Sequence, residues 1–406
     1  MVHYSTRVLP LPCAVLGGLQ LMKAIKSMMI AARRITAWGL VLMLTGGASS
    51  FSQITPRVTV SGRVIDDSTR VPVQNANVFI ANTTLGCGTD QNGRFQIRNV
   101  PVGPCEIVAS RVGYTMRLMR VTLSESRKAD FELELHATNV ELGEVVVSAP
   151  DPVEWKKGAE RFRKLFLGTT RNARECKILN PEVLDFKTDA NGAFDASVRQ
   201  PLIIENPALG YHIEYYLTLF REEESAPTLV AQSRGPVLMF EGQPQYTELK
   251  PSTPDDSVLW KENRQRAFKG SLRHFLISLF NRELEREGFI IRLSSGLSVS
   301  ASDPRALLTV TEADILSDGP KSHEKMLKFK GFLEVEYDGE PVEFGYDLLR
   351  KKGSDAQVSW IRLNYDAVTI DSRGLIKDWF PTTISGYWAW KRVGDALPLD
   401  YDPDRQ

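Results

Sequence analysis

Cysteine and histidine are the scarcest chemistry-bearing residues of this chain. Five histidines are present among 406 residues: His3, His136, His212, His274 and His323. None opens an H-x-x-E or H-E-x-x-H pattern, so the ligand spacing of a zinc hydrolase is missing. His212 and Glu214 fall two apart, on one face if this stretch is a strand, with no third ligand in view. Cysteine is rarer still, at Cys13, Cys87, Cys105 and Cys176. A nucleophilic Cys176 would need a positioned base and a stabilised thiolate, and the sequence shows neither. No G-x-S-x-G elbow and no P-loop occur. Gly86-Cys87-Gly88 does not lead into a helix, as a dinucleotide fingerprint must. Fifty acidic residues balance fifty basic ones, which argues against a nucleic-acid partner. Beyond residue 50 no run is long and apolar enough to span a bilayer, so no transmembrane span is expected in the mature chain. No cofactor is expected.

What is present begins with an export pattern. Lys23, Lys26, Arg33 and Arg34 precede the apolar run Ile35–Leu44, which is too short for a membrane span. Ala48 and Ser50 are small residues at cleavage spacing. Residues 1–50 therefore read as a signal segment, with Met22 or Met28 as alternative starts. A mature protein in the periplasm, at the outer membrane or on the cell surface follows.

The stretch Gly62–Tyr114 organises the rest. Short β-type runs alternate with turns: 58–65, 76–81, 85–89, 94–97, 105–110, 118–123 and 131–135. Asp90-Gln91-Asn92-Gly93 is a turn in which Gly93 takes the left-handed conformation; it lacks the distal Glu of a calcium loop. Seven short strands without a helical stripe predict an antiparallel sandwich over 57–136.

These residues also resemble the carboxypeptidase-regulatory-like domain. Gly62, Val64, Asp66, Ala76, Val78, Asp90, Gly93, Phe95, Pro101, Gly103, Gly113 and Tyr114 match its spaced pattern. Cys87 and Cys105 stand where a Thr and an aromatic are usual. The resemblance implies a transthyretin/Ig-like fold in an accessory module, not an activity. Cys87 and Cys105 could pair in an oxidising compartment; two separate buried thiols are the other reading.

Residues 137–176 read as a linker strand and a helix. ELGEVVVSAP (141–150) is similar to the TonB box that follows this domain in starch-utilisation-type transporters of the Bacteroidota. Leu142, Glu144, Val145, Val146 and Val147 would form a partner strand. No plug or barrel pattern follows. From Asp151 to Gly168, Trp155, Ala159, Phe162 and Phe166 lie on one stripe, and Lys156, Lys157, Arg161, Arg163 and Lys164 cover the other face. Docking on the next domain is the simpler expectation; lipid contact is the alternative.

Residues 177–406 predict an α+β domain with a mostly antiparallel sheet and two helices, Ser257–Phe268 and one capped by Ser271 and running towards Gly288. Strands are expected at 342–346 and 384–390. CKILNPEVLDF, PLIIENPALGY, GSLRHFLISL and GYWAWKRVGDALPLDY are similar to an uncharacterised group of Bacteroidota surface proteins. That resemblance carries no activity. Trp388 and Trp390 are the candidate ligand-stacking pair, with core packing as the competing account. His274 is expected at the surface or in a hydrogen bond. Asp400, Asp402 and Asp404 read as a solvated tail. The function expected is a non-enzymatic binding or scaffold protein whose partner is a protein or a glycan of the cell envelope. A hydrolase site hidden in the second domain and a TonB-linked accessory role are the alternatives.

Overall fold

The computed structural model describes residues 56–125, 129–138, 152–223, 237–294, 307–321, 323–347, 356–377 and 382–403. The signal segment, the partner strand 142–147 and Asp404 lie outside the described residues.

Eight strands build the N-terminal sandwich. They are β1 (Arg57–Asp66), β2 (Asn77–Ile80), β3 (Gly86–Gly88), β4 (Arg94–Pro101), β5 (Gly103–Ser110), β6 (Tyr114–Thr115), β7 (Arg117–Leu123) and β8 (Ala129–Ala137). One sheet runs β4-β1-β8-β6 and the other β3-β2-β5-β7. The 90–93 turn forms as the residues dictate: Asp90 Oδ1 accepts from Asn92 N (2.9 Å) and Arg94 N (2.8 Å), and Gly93 has φ +69°. Alternation then buries Val60, Val64, Val78, Phe95, Ile97, Ile107, Leu133 and Leu135 between the sheets. The antiparallel expectation needs one correction, because β8 pairs with β1 in parallel, Val60 opposite Ala129. The chain reaches this register by returning from the second sheet, a long-range choice that local alternation does not encode.

The second region starts with a helix. Helix α1 (Pro152–Leu167) and the short α2 (Arg171–Glu175) precede β9 (Lys177–Ile178), β10 (Leu184–Thr188), β11 (Phe194–Val198), β12 (Leu202–Asn206), β13 (Tyr211–Glu223) and β14 (Val237–Glu248). The long β13 pairs with β14 along one edge. Its other edge takes β12 beside its start and β11 beside its end. Phe162 and Phe166 of α1 are wholly buried on this sheet; the Phe162 ring lies 4.7 Å from Phe220, and Phe166 lies 4.9 Å from Tyr215. Trp155 donates to the Leu184 carbonyl at 3.0 Å. Three of the helix's cations are paired, Arg161 with Glu222, Lys157 with Glu154 and Lys164 with Glu160. Helix α1 is thus a core element of the second region.

Helices α3 (Pro254–Phe268) and α4 (Leu272–Asn281) follow. Helix α4 begins where Ser271 accepts from His274 N (3.1 Å) and ends at left-handed Arg282, before the expected Gly288. Its Phe275, Leu276 and Leu279 enter a second core. That core is roofed by a five-stranded sheet, β16-β15-β19-β20-β22, and a three-stranded one, β17-β18-β21. Here β15 is Phe289–Ser294, β16 Leu307–Thr309, β17 Leu316–Asp318, β18 Glu324–Leu327, β19 Phe332–Pro341, β20 Ala356–Leu363, β21 Val368–Asp371 and β22 Thr382–Gly386. Two expected strands turn into one-turn helices, Phe344–Asp347 and Tyr387–Trp390. Gly386 causes the second change. Its φ of +76° and ψ of −143° are open only to glycine at low cost, and they end β22 there.

Sandwich and second region are joined through packed surface; Pro56–Gln406 is one compact unit. The sheet β3-β2-β5-β7 buries its inner face in the sandwich and part of its outer face against β13. Phe79, Ala81 and Val108 meet Tyr216 there, with the Phe79 and Tyr216 rings 5.2 Å apart. Asn77 Nδ2 donates to Gln245 Oε1 at 2.6 Å. No helix of the described residues is long and apolar enough to cross a membrane.

Candidate functional site

A concavity lies at this joint. It is a cleft of about 680 Å³ with walls from both regions. The sandwich supplies Ile80–Thr83 and the neighbouring strands β5 and β7, through Pro104, Cys105, Glu106, Arg120, Val121 and Thr122. Strand β14 supplies Phe240 and Glu241, and the turn after β21 supplies Arg373, Leu375, Ile376 and Lys377. The C-terminal segment closes the floor with Leu399 and Asp400.

Each wall is held by a bond that crosses the joint. Arg373 donates to Asp371 (2.7 Å) and to the sandwich carbonyl of Pro104 (2.7 Å). Leu399 N donates to Asn82 O at 2.7 Å. The Asp400 carboxylate accepts from Thr84 N at 3.0 Å and from the Thr84 hydroxyl. Asp400 therefore belongs to the joint, which corrects the solvated-tail expectation. What places it there is Arg273, whose guanidinium donates to the carbonyls of Arg373, Pro398, Leu399 and Tyr401 at 2.7–3.2 Å. An always-charged five-donor fork suits that task, since the strap has no strand partner to satisfy its carbonyls.

The cations of the cleft are paired, within it or just behind its wall. Arg120 binds Glu106 at 2.8 Å, and Lys377 pairs with Glu324. Cys105 lines the wall as a thiol, and burial pushes its pKa up to about 11 against the pull of nearby Arg373. It is therefore neutral and a poor nucleophile at neutral pH. The cleft offers apolar patches, fixed charges and backbone edges.

The sequence-chosen residues fare as follows. Cys87 and Cys105 are free thiols, which corrects the disulfide expectation. Cys87 is on β3 and Cys105 on β5, with β2 between them. Two strand spacings are roughly 10 Å, beyond the Cα separation of about 7 Å that a disulfide spans. Trp388 and Trp390 do not share a face. Trp388 is buried, 5.3 Å from the Phe275 ring, and donates to the Gly270 carbonyl at 2.7 Å. Trp390 is half-buried with Tyr346 and Tyr387 and donates to Thr169 Oγ1 at 3.0 Å. The strand-to-helix switch at Gly386 separates the pair. His274 is buried rather than superficial: its ring lies among Phe268, Phe289 and Tyr337, and Nδ1 accepts from Gly270 N at 3.1 Å. Glu214 accepts from the Tyr216 hydroxyl at 3.2 Å. Among the described residues no three His, Cys, Asp or Glu side chains gather as metal ligands would. The residues that do line the cleft, Phe240, Arg373, Leu375 and Asp400, had no local signal, because only the joint brings them together.

No curated protein matches the chain. A solved type II cohesin–X-dockerin complex from Acetivibrio cellulolyticus is 32% identical over 19% of this chain and 51% of that one, with a TM-score of 0.16. This chain thus spans about half of that relative's length. The major pilin subunit of Bacillus cereus is 14% identical over 20% of this chain and 30% of its own, TM-score 0.18. A DUF3823 family protein from Parabacteroides merdae is 11% identical over 48% of this chain and 100% of its own, TM-score 0.17. The family match lies in the N-terminal part: residues 60–147 match the model of the CarboxypepD_reg-like domain.

Proposed function

We propose that this is a non-enzymatic binding protein of the cell envelope, exported across the inner membrane, whose regulatory-like sandwich and second region together frame one ligand cleft. The observation that supports this reading is the cleft itself. Its walls come from both regions, its cations are already paired, and its one thiol is held neutral by burial. A concave, largely pre-formed surface at an interface between regions is where ligands commonly bind. The ligand class is a protein segment or a glycan met at the envelope.

Glycan and peptide arrays probed with residues 51–406 test this. Thr122 is exposed on the rim, so Thr122→Trp should fill the mouth while changing stability by less than about 0.5 kcal/mol. Hits that weaken tenfold or more in this variant support the reading. Hits insensitive to Thr122→Trp remove the cleft from the function. Mass spectrometry of each hit after incubation checks the non-enzymatic part; turnover would overturn it.

A further inference from the structure

The β14 side of the cleft is a strand edge, and the sandwich already uses one end of it. Asn82 N donates to Pro244 O (2.7 Å), and Tyr246 N donates to Thr83 O (3.0 Å). Thr83 and Gln245 form a parallel bridge. Residues 82–83 thus behave as the beginning of a strand added to β14. The bridge is parallel, so the Leu238–Gly242 end of the edge lies on the Ala81 side, where the addition stops because the Ala81 backbone N–H turns to Glu106 O (2.9 Å).

The rest of that edge follows from pleat alternation. In an antiparallel pair, alternate residues turn both backbone groups away from the partner strand. Pro244 and Tyr246 are of this outward set, and Pro244, lacking an N–H, is where an edge tolerates proline. Gly242 continues the set, and so do Phe240 and Leu238 beyond a register shift between Leu217 and Leu219, whose extra residue lies on β13 and leaves the alternation of β14 uninterrupted. Glu241 belongs to the inward set, as the bond from Thr218 Oγ1 to its carbonyl (3.1 Å) shows. Among the described residues, no backbone bond reaches the outer edge at Leu238, Phe240 or Gly242. The cleft touches this edge at Phe240 and Glu241 and also takes in Asn82 and Thr83. Val121 and Thr122 of the neighbouring β7 line one side; Leu375, Ile376 and Leu399 line the others.

We infer that the cleft takes an extended peptide with alternating apolar side chains, which adds as a strand to the outer edge of β14 at Leu238–Gly242 and continues the pairing begun by Asn82 and Thr83. This rests on the binding reading above and names its ligand. Backbone groups of the peptide would supply affinity, and the apolar lining would select every second side chain.

The test selects binders from a phage-displayed library of random peptides against the full chain, then scans each selected peptide with single N-methyl groups. A strand added to β14 loses tenfold or more in affinity when alternate amides are methylated and is nearly indifferent at the positions between. Phe240→Pro removes one outward N–H without touching the ladder to β13, and it should weaken the same peptides tenfold. If that variant does not fold, the N-methyl scan on the unaltered protein decides alone. Peptides that bind with no alternating pattern, or glycans that bind and are lost in Thr122→Trp while no peptide is selected, overturn the strand-addition inference and leave the binding function standing. Neither peptides nor glycans binding overturns both.

Discussion

The two regions of this protein satisfy their backbones in different ways. In the sandwich, ladders take most of the main chain, and the core between the sheets is largely aliphatic, with Val60, Val64, Val78, Ile97, Ile107 and Leu133 at its centre. In the second region, side chains reach irregular segments that have no ladder. Trp260, Asn263 and Arg264 of α3 donate in succession to the carbonyls of Pro207, Ala208 and Leu209 at 2.7–2.8 Å. Arg273 of α4 holds the C-terminal strap. Its core beside α1 is aromatic, with Phe162, Phe166, Phe194, Tyr215 and Phe220. The difference teaches where each region is fragile. A ladder spreads its bonds over many residues, whereas a buried arginine concentrates several in one side chain. Removing that side chain leaves several buried carbonyls without partners.

The largest expected effect follows from this concentration. Arg273→Met should cost about 3–5 kcal/mol, because the carbonyls of Arg373, Leu399 and Tyr401 lose their donor at once, while Pro398 O keeps that of Tyr401 N. Denaturant unfolding followed by tryptophan fluorescence measures it; a cost under about 1 kcal/mol would erase the contrast between the regions. Phe79→Ala probes the joint and should cost about 3 kcal/mol, the usual range for a buried Phe. Calorimetry should show one transition moved downward. Two separate transitions in the unaltered protein would mean that the regions are independent. Thr89→Val is the sandwich counterpart of the arginine test. Its hydroxyl accepts from Ala76 N (2.8 Å) and donates to Val73 O (2.7 Å), and its loss should cost about 1–2 kcal/mol.

The smallest expected effect is a pH dependence confined to the second region. Burial among aromatic rings pushes the His274 pKa below its ordinary value, against the partial support of Glu287. With the folded pKa below the unfolded one, the unfolded chain binds the proton first as pH falls. Stability is therefore full above about pH 6.5 and falls below it. Thermal midpoints at pH 7.5 and 5.5 should differ less in His274→Gln than in the unaltered protein. An unchanged difference would show that other groups set the pH response.

The sandwich was legible because its punctuation is local. Gly93, Pro101 and Gly103 each mark a turn within a few residues of the strand they end, and period-two alternation fills the space between. Helix α4 was legible from Ser271 and an apolar stripe. Helix α3 was harder, since it docks by polar side chains: Asn263 and Arg264 are buried where an amphipathic helix would place leucines. Trp388 and Trp390 misled because one left-handed backbone position, Gly386, changes a strand period into a helical one. Cys87 and Cys105 misled because sequence distance says nothing about which strand lies between them.

Residue type and short spacing alone set the turn-and-strand order of the N-terminal sandwich and the scarcity of histidine and cysteine. The tertiary structure decided the parallel return of β8, the burial of His274 and the existence of the cleft. Residues 82, 104, 121, 240, 373 and 399 converge only after the sandwich docks on β13 and β14. That docking depends on the outer-face residues Phe79, Val108 and Tyr216, whose complementarity is a property of two assembled surfaces and of no single stretch of chain.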